Sequence, residues 1–141
     1  MYSRAHGAIS LSIGVGLVAA GIEWVHPLVV VGYAIAIGVG IDFDHFLVAR
    51  YNTGEWRALR YLLANPRRAL ADQSTIFDPE DIDPFERLLS HTVIVGVTVP
   101  VTWLFDPALG LVTAVTLYGH VLSDLLADVR QFEGRLREES L

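Results

Sequence analysis

Four stretches of this chain stay apolar for about twenty residues each, the length an α-helix needs to cross a ~30 Å hydrocarbon core at 1.5 Å per residue. They cover about residues 5–24, 27–48, 88–105 and 108–127. None shows the wide polar face that a water-facing helix requires at the 3.6-residue period. The expected fold is all-α: a polytopic four-helix transmembrane bundle, one membrane domain over 1–141, with a loop at about 49–87 and a tail at 128–141. Composition agrees, because only 18% of residues are charged against about 25% in soluble domains. Two other readings compete. One is a soluble bundle of buried helices; the other takes residues 1–21 as a cleaved leader, with Arg4 as its basic end and Val18-Ala19-Ala20-Gly21 as the cleavage site.

Charge excludes further classes. The formal net charge is −6 with no long basic run, which speaks against a nucleic-acid binder, and the absence of cysteine excludes a disulfide scaffold. All ten basic residues are arginine. With the acidic excess, that usage points to a salt-adapted, halophilic source, since dense carboxylates keep proteins soluble in strong salt.

Small residues recur every four positions at Ala8, Ser12, Gly16 and Ala20, and again at Gly32, Ala36 and Gly40. Such stripes let membrane helices approach closely, so the first two helices are expected to pair along them. Pro100 is expected to kink the third helix. The long loop divides by composition. Residues 54–71 mix arginine with Trp56, Leu59, Tyr61, Leu62, Leu63 and Leu70, as either an interfacial helix or an ordinary soluble helical excursion does, whereas 72–86 is acidic and reads as irregular and solvated.

The two short connections, around Glu23 to Pro27 and at Asp106-Pro107, carry no arginine, and all ten fall on the other side. Under the positive-inside rule both termini and the long loop face the cytoplasm in a multi-pass protein of the cell membrane.

The polar residues inside the spans are few and concentrated. His6 opens the first helix, Asp42, Asp44 and His45 close the second, Glu86 and His91 open the third, and His120 and Asp124 lie late in the fourth. An up-down-up-down order brings those four ends to one face. Intramembrane ionisable groups cost about 2.5–3.5 kcal/mol each even on the milder insertion scale, and usually mark function. Asp42 and His45 are three residues apart and His120 and Asp124 four, so each pair projects from one helical side. Bundles build metal sites from such pairs. His6, Asp42, His45, Glu86, His91, His120 and Asp124 are therefore the candidate ligands, and nitrogen with carboxylate oxygen suits zinc first, then manganese or iron. Asp44 lies on a different side of its helix from Asp42, which suits a base or a group orienting a histidine. His26, beside Pro27, reads as a loop residue.

The order His6, Asp42-Phe43-Asp44-His45, Ser90-His91-Thr92 and His120-x-x-x-Asp124 resembles the YdjM-like membrane-bound metal-dependent hydrolases, whose motifs are Thr-His, Pro-Asp-x-Asp-His, His-Arg-Gly-x-Thr-His-Ser and a late His-x-x-x-Asp. The likeness covers residues 6–124. Here Ala5 stands for the first threonine, Ile41 for the proline, Ser90-His91-Thr92 for Thr-His-Ser, and Glu86-Arg87-Leu88 for His-Arg-Gly. The resemblance implies a distant similarity to zinc-dependent phospholipase C and nuclease-type phosphodiesterases, with no particular substrate.

The function expected from these residues is metal-dependent hydrolysis of a phosphoester or lipid-associated ester at the cytoplasmic membrane face. Asp44 or Asp124 would serve as general base and Arg87 would hold a phosphate. Membrane lipids are the expected partners and nucleic acid is not. Two rivals use the same residues: an ion or proton transporter subunit with a His/Asp relay, and a non-catalytic interaction module whose metal pins four helix ends.

Overall fold

In the computed structural model, residues 3–22, 25–67, 76–78 and 81–139 are described, and among them every regular element is a helix. α1 covers Ser3–Ala19, α2 Pro27–Gly40, α3 Asp44–Thr53, α4 Arg57–Ala64, α5 Pro84–Phe105 and α6 Pro107–Glu139. A 3₁₀ turn, Ile41–Phe43, joins α2 to α3 into one run, Pro27–Thr53. That run, α5 and α6 are each long and apolar enough to cross a membrane; α1 is apolar but shorter.

Local chemistry sets the ends. His26, expected in a loop, caps α2 by accepting from the Leu28 amide ahead of Pro27 at the first helical position. Asp83 and Glu86 form a capping box that starts α5 four residues earlier than the apolar run suggests. Asp106 terminates α5 and accepts from the Leu109 amide at the start of α6. A Cβ at Gly110 would lie 2.6 Å from Trp103 Cα, so the α5–α6 hairpin closes only over glycine.

Three further boundaries differ from expectation. The first helix stops at Ala19 rather than near residue 24; Gly21 turns the chain at φ 83°, and Glu23 and Trp24 lie outside the described residues. The second helical run continues to Thr53, where Gly54 in the left-handed region ends it. The tail beyond 127 is helical to Glu139, because Arg, Gln, Glu and Leu dominate it and all favour helix. α5 runs through Pro100 as one helix. In the loop, Arg68, Leu70 and Pro79 lie outside the described residues.

α6 is the centre of the assembly: it touches α1, α2 and α5, while α1 pairs with α2 and α3 meets α5 and α4. The pairing seam of α1 and α2 lies on the opposite face from the small-residue stripes named above. Ala8, Ser12, Gly16, Gly32 and Ala36 face outward, and His6, Ser10, Gly14, Ala34 and Gly38 face inward. Gly14 meets the Val31 backbone and Ala34, and a Cβ at Gly38 would collide with the Ser10 hydroxyl and sit 3.0 Å from Thr116. Both faces of α1 carry small residues four apart; the one continuous with His6 turns inward because its histidine needs polar company.

The acidic part of the loop is not wholly solvated. Ile76 and Asp81 are buried, Arg57 pairs with Asp78 at 2.9 Å and with Asp81, and Asn52 donates to the Asp81 carbonyl. Arg50 lies over the Trp56 ring.

Candidate metal centre

The ends of four helical runs meet at one end of the bundle. His6 comes from α1, Asp42 from the 3₁₀ turn, Asp44 and His45 from the start of α3, His91 from α5, and His120 and Asp124 from α6. Asp42 in the 3₁₀ turn and His45 in α3 are three residues apart on one continuous helical run, and His45 Nε2 comes 3.8 Å from Asp42 Oδ1. His6, His91 and His120 are each 1% exposed and Asp44 and Asp124 7% and 5%, while Asp42 and His45 are half-buried at the edge of the cluster.

Hydrogen bonds fix two of the rings. His120 Nδ1 lies 2.6 Å from the Gly38 carbonyl and His91 Nδ1 2.9 Å from Asp44 Oδ2. A carbonyl and a carboxylate only accept, so both Nδ1 atoms donate and both Nε2 atoms of the neutral rings carry lone pairs. Those two Nε2 atoms face each other at 3.2 Å. Asp42 Oδ1 lies 3.3 Å from His120 Nε2 and 3.6 Å from His91 Nε2; Asp124 Oδ2 lies 3.5 and 3.7 Å from the same atoms. Four acceptors thus converge with no donor among them.

Such a set repels itself unless a metal ion, or a proton on one of the ring nitrogens, lies between. The separations are close to the edge of a tetrahedron, about 3.3–3.4 Å, drawn around an ion at the ~2.0–2.1 Å distances of zinc–nitrogen and zinc–oxygen bonds. The cluster can hold a metal ion in two ways: His6, Asp42, His120 and Asp124 form one group of donors within 4.8 Å of one another, and Asp42, His45 and His91 a second. Asp42 belongs to both. Buried polar atoms with no hydrogen-bond partner among the described residues are concentrated here, on His6 Nδ1, Asp42 Oδ1, Asp44 Oδ1 and His45 Nε2. Orphaned groups of this kind cost roughly 1–3 kcal/mol each, and in native proteins they call for a ligand or another stated cause. Ring stacking holds the remaining geometry: His6 on His120 at 3.9 Å between centroids, His45 on His91 at 5.2 Å.

Of the seven ligands expected from sequence, six come together, and Glu86 does not. Its carboxylate accepts from the Asp83 amide at 3.2 Å and from Asn52 Nδ2 at 2.6 Å, so it holds the start of α5 to α3. Asp44 stands behind His91, as a carboxylate orienting a ligand does, rather than among the donors. Arg87 is held by both oxygens of Asp128 at 2.5 and 2.6 Å, and its Nε is 3.9 Å from Asp124.

Sequence reasoning missed Gly38, whose carbonyl orients His120, and Asp128, which lies one helical turn beyond Asp124. It also missed Phe77, whose ring meets that of His45 edge-on at 5.8 Å. A signal existed for the first: Gly38 is four residues before Asp42, on the same helical face. Between α5 and α6 a groove of about 550 Å³ reaches His91 and Asp124. Compared with known proteins, the chain matches no family model, no curated protein and no solved structure.

Proposed function

We propose that this chain is a multi-pass membrane protein whose His/Asp cluster holds a divalent metal ion, zinc foremost, and hydrolyses a phosphoester or lipid-associated ester. Convergence of four lone-pair donors, His91 Nε2, His120 Nε2, Asp42 Oδ1 and Asp124 Oδ2, carries the reading. Membership of the YdjM-like hydrolases belongs to the same proposal and rests on the motif order from His6 to Asp124.

Four crossings follow if α1 spans as well: its 17 residues reach about 25 Å, at the short end of what spanning helices use. The arginine distribution then places the cluster at the cytoplasmic face. A bound ion would supply the acidity that activates water near neutral pH and would neutralise charge on the ester oxygen. The chain's own residues do the rest. Asp44 and the Gly38 carbonyl fix the rings of His91 and His120. With one ion held by His6, Asp42, His120 and Asp124, His45 would be free of the metal and could take a proton from the attacking water.

The groove reaching His91 and Asp124 favours catalysis over a purely structural metal, which would be closed on all sides. A transport relay fits less well, since the opposite end of the bundle is a fully buried apolar contact of Val30, Ala34 and Val112. The test is hydrolysis of bis-p-nitrophenyl phosphate by detergent-purified, zinc-loaded protein. Activity lost in Asp124→Asn and His120→Ala supports the reading; equal rates in all three proteins refute it.

A further inference from the structure

The longest helix keeps one face uncovered along its second half. Tyr118, Leu122, Leu125, Val129, Phe132 and Leu136 follow one another on α6 at spacings of four, three, four, three and four residues, and each is between 38% and 67% exposed. Alternating spacings of this kind are the a/d repeat of a coiled coil, a seam that recurs every 3.5 residues and faces another helix of the same period. The first three lie in the apolar span and the last three beyond it. From Asp128 to Glu139 seven of twelve residues are charged. That part of α6 therefore stands in water, where three large apolar side chains on one line call for cover.

Neither the bundle nor lipid supplies it. Arg87 of α5 is level with Asp128, and α5 begins only three residues before Arg87, so α6 runs on past the start of α5 by about two turns. α6 is also one unbroken helix from Pro107 to Glu139. Its last turns continue the line of the span away from the bilayer instead of lying along the surface, as an interfacial helix does.

Charges beside the seam select the occupant. In a parallel pair the g side of each helix faces the e side of the other. With Leu122, Val129 and Leu136 at a, the g side carries Val121, Asp128 and Arg135, and the e side Leu126 and Glu133. Both oxygens of Asp128 are taken by Arg87 of the same copy, so the g side is net positive and the e side net negative. Parallel pairing sets these opposite charges against each other, whereas an antiparallel pair would set Arg135 against Arg135 and Glu133 against Glu133. Two copies inserted the same way round in one membrane meet in the parallel sense, about a two-fold axis along its normal. A seam of fewer than three heptads is enough there, because the membrane already holds the two helices side by side at high effective concentration.

We propose that α6 pairs in parallel with α6 of a second copy along this seam, and that the pair forms one wall of the groove reaching His91 and Asp124. Leu125, Val129, Phe132 and Leu136 line both the seam and that groove. Arg87, whose Nε is 3.9 Å from Asp124, borders the flank that would meet Glu133 of the partner subunit. Access to the cluster then runs between α5 of one copy and α6 of the other. The pairing stands whether or not the cluster holds metal.

The chain contains no cysteine, so single introduced cysteines report the contact. The full chain is reconstituted in phosphatidylcholine vesicles and oxidised, carrying Val129→Cys, Phe132→Cys or Leu136→Cys on the seam, or Arg130→Cys, Gln131→Cys or Gly134→Cys off it. Expected is a disulfide-linked dimer several-fold more abundant at the three seam positions, and persistent when excess lipid dilutes the protein, because a parallel two-fold pair brings identical a and d positions together. Adding Val129→Glu and Phe132→Glu, which puts like charges in the seam, should abolish crosslinking through Leu136→Cys while circular dichroism keeps the helix content of the parent. Equal crosslinking around the helix, crosslinking confined to the positions off the seam, none at any of the six, or no effect of the two glutamates would overturn the proposal.

Discussion

The two ends of the bundle solve the packing problem in opposite ways. At the arginine-free end, Val30, Ala34 and Val112 are fully buried, with Leu17, Val18, Ile22 and Tyr33 packed around them, and the Tyr33 hydroxyl meets Thr113 Oγ1 at 2.7 Å. At the other end the same helices bury three histidines and two aspartates and leave His6 Nδ1, Asp42 Oδ1, Asp44 Oδ1 and His45 Nε2 without a hydrogen-bond partner among the described residues. A helix bundle of this size gains nothing in stability from the second arrangement by itself, since buried unpaired polar groups oppose folding. The difference assigns fold to one end and chemistry to the other, and it predicts that damage at each end is read by a different measurement.

The position that serves both ends should show the largest effect. Gly38→Leu drives a side chain into Ser10 and Thr116 and displaces the carbonyl that orients His120. It should lower both thermal stability and metal content severely, with overpacking alone costing about 1–3 kcal/mol or more. Gly16→Ala, with nothing within 4 Å of the new Cβ, should change neither. Equal behaviour of the two variants would break the assignment of the inward seam.

Asp44→Asn should weaken metal binding about 10–100-fold, as loss of a carboxylate behind a ligating histidine typically does, while the unfolding midpoint without metal stays near that of the parent. A competition titration with a chelating indicator checks this. Val112→Ala is the complementary change: unfolding in detergent should show a loss of about 2 kcal/mol from two missing carbons and the cavity they leave, with metal affinity unchanged. Smallest is Glu86→Ala, which removes half of the capping box and the Asn52 contact. It should cost about 1 kcal/mol and leave metal stoichiometry intact. Loss of metal in Glu86→Ala would return that residue to the ligand set.

Much of this division was legible in the sequence. Apolar runs with strong length constraints located the helices, and His and Asp at helix-end positions marked the cluster, because ionisable groups are too costly inside such runs to occur at random. What sequence could not weigh was competition for the same side chain. Glu86 has the chemistry of a ligand and also stands three residues after Asp83, where a capping box takes it. The small-residue stripes failed for a related reason: Ala8-Ser12-Gly16 and Ser10-Gly14 are equivalent as spacings, and only their registry with His6 and Asp42 separates inside from outside. The helical tail to Glu139 was hidden by its charge, which marks where α6 leaves apolar surroundings and says little about where the helix ends.

If the cluster holds metal, elemental analysis of the detergent-purified chain beside a His91→Ala/His120→Ala double variant should find about one or two equivalents of zinc, manganese or iron in the parent, the upper figure if Asp42 bridges both donor groups, and none in the variant. Absence of metal from the parent after reloading, or equal metal in both proteins, would contradict that reading.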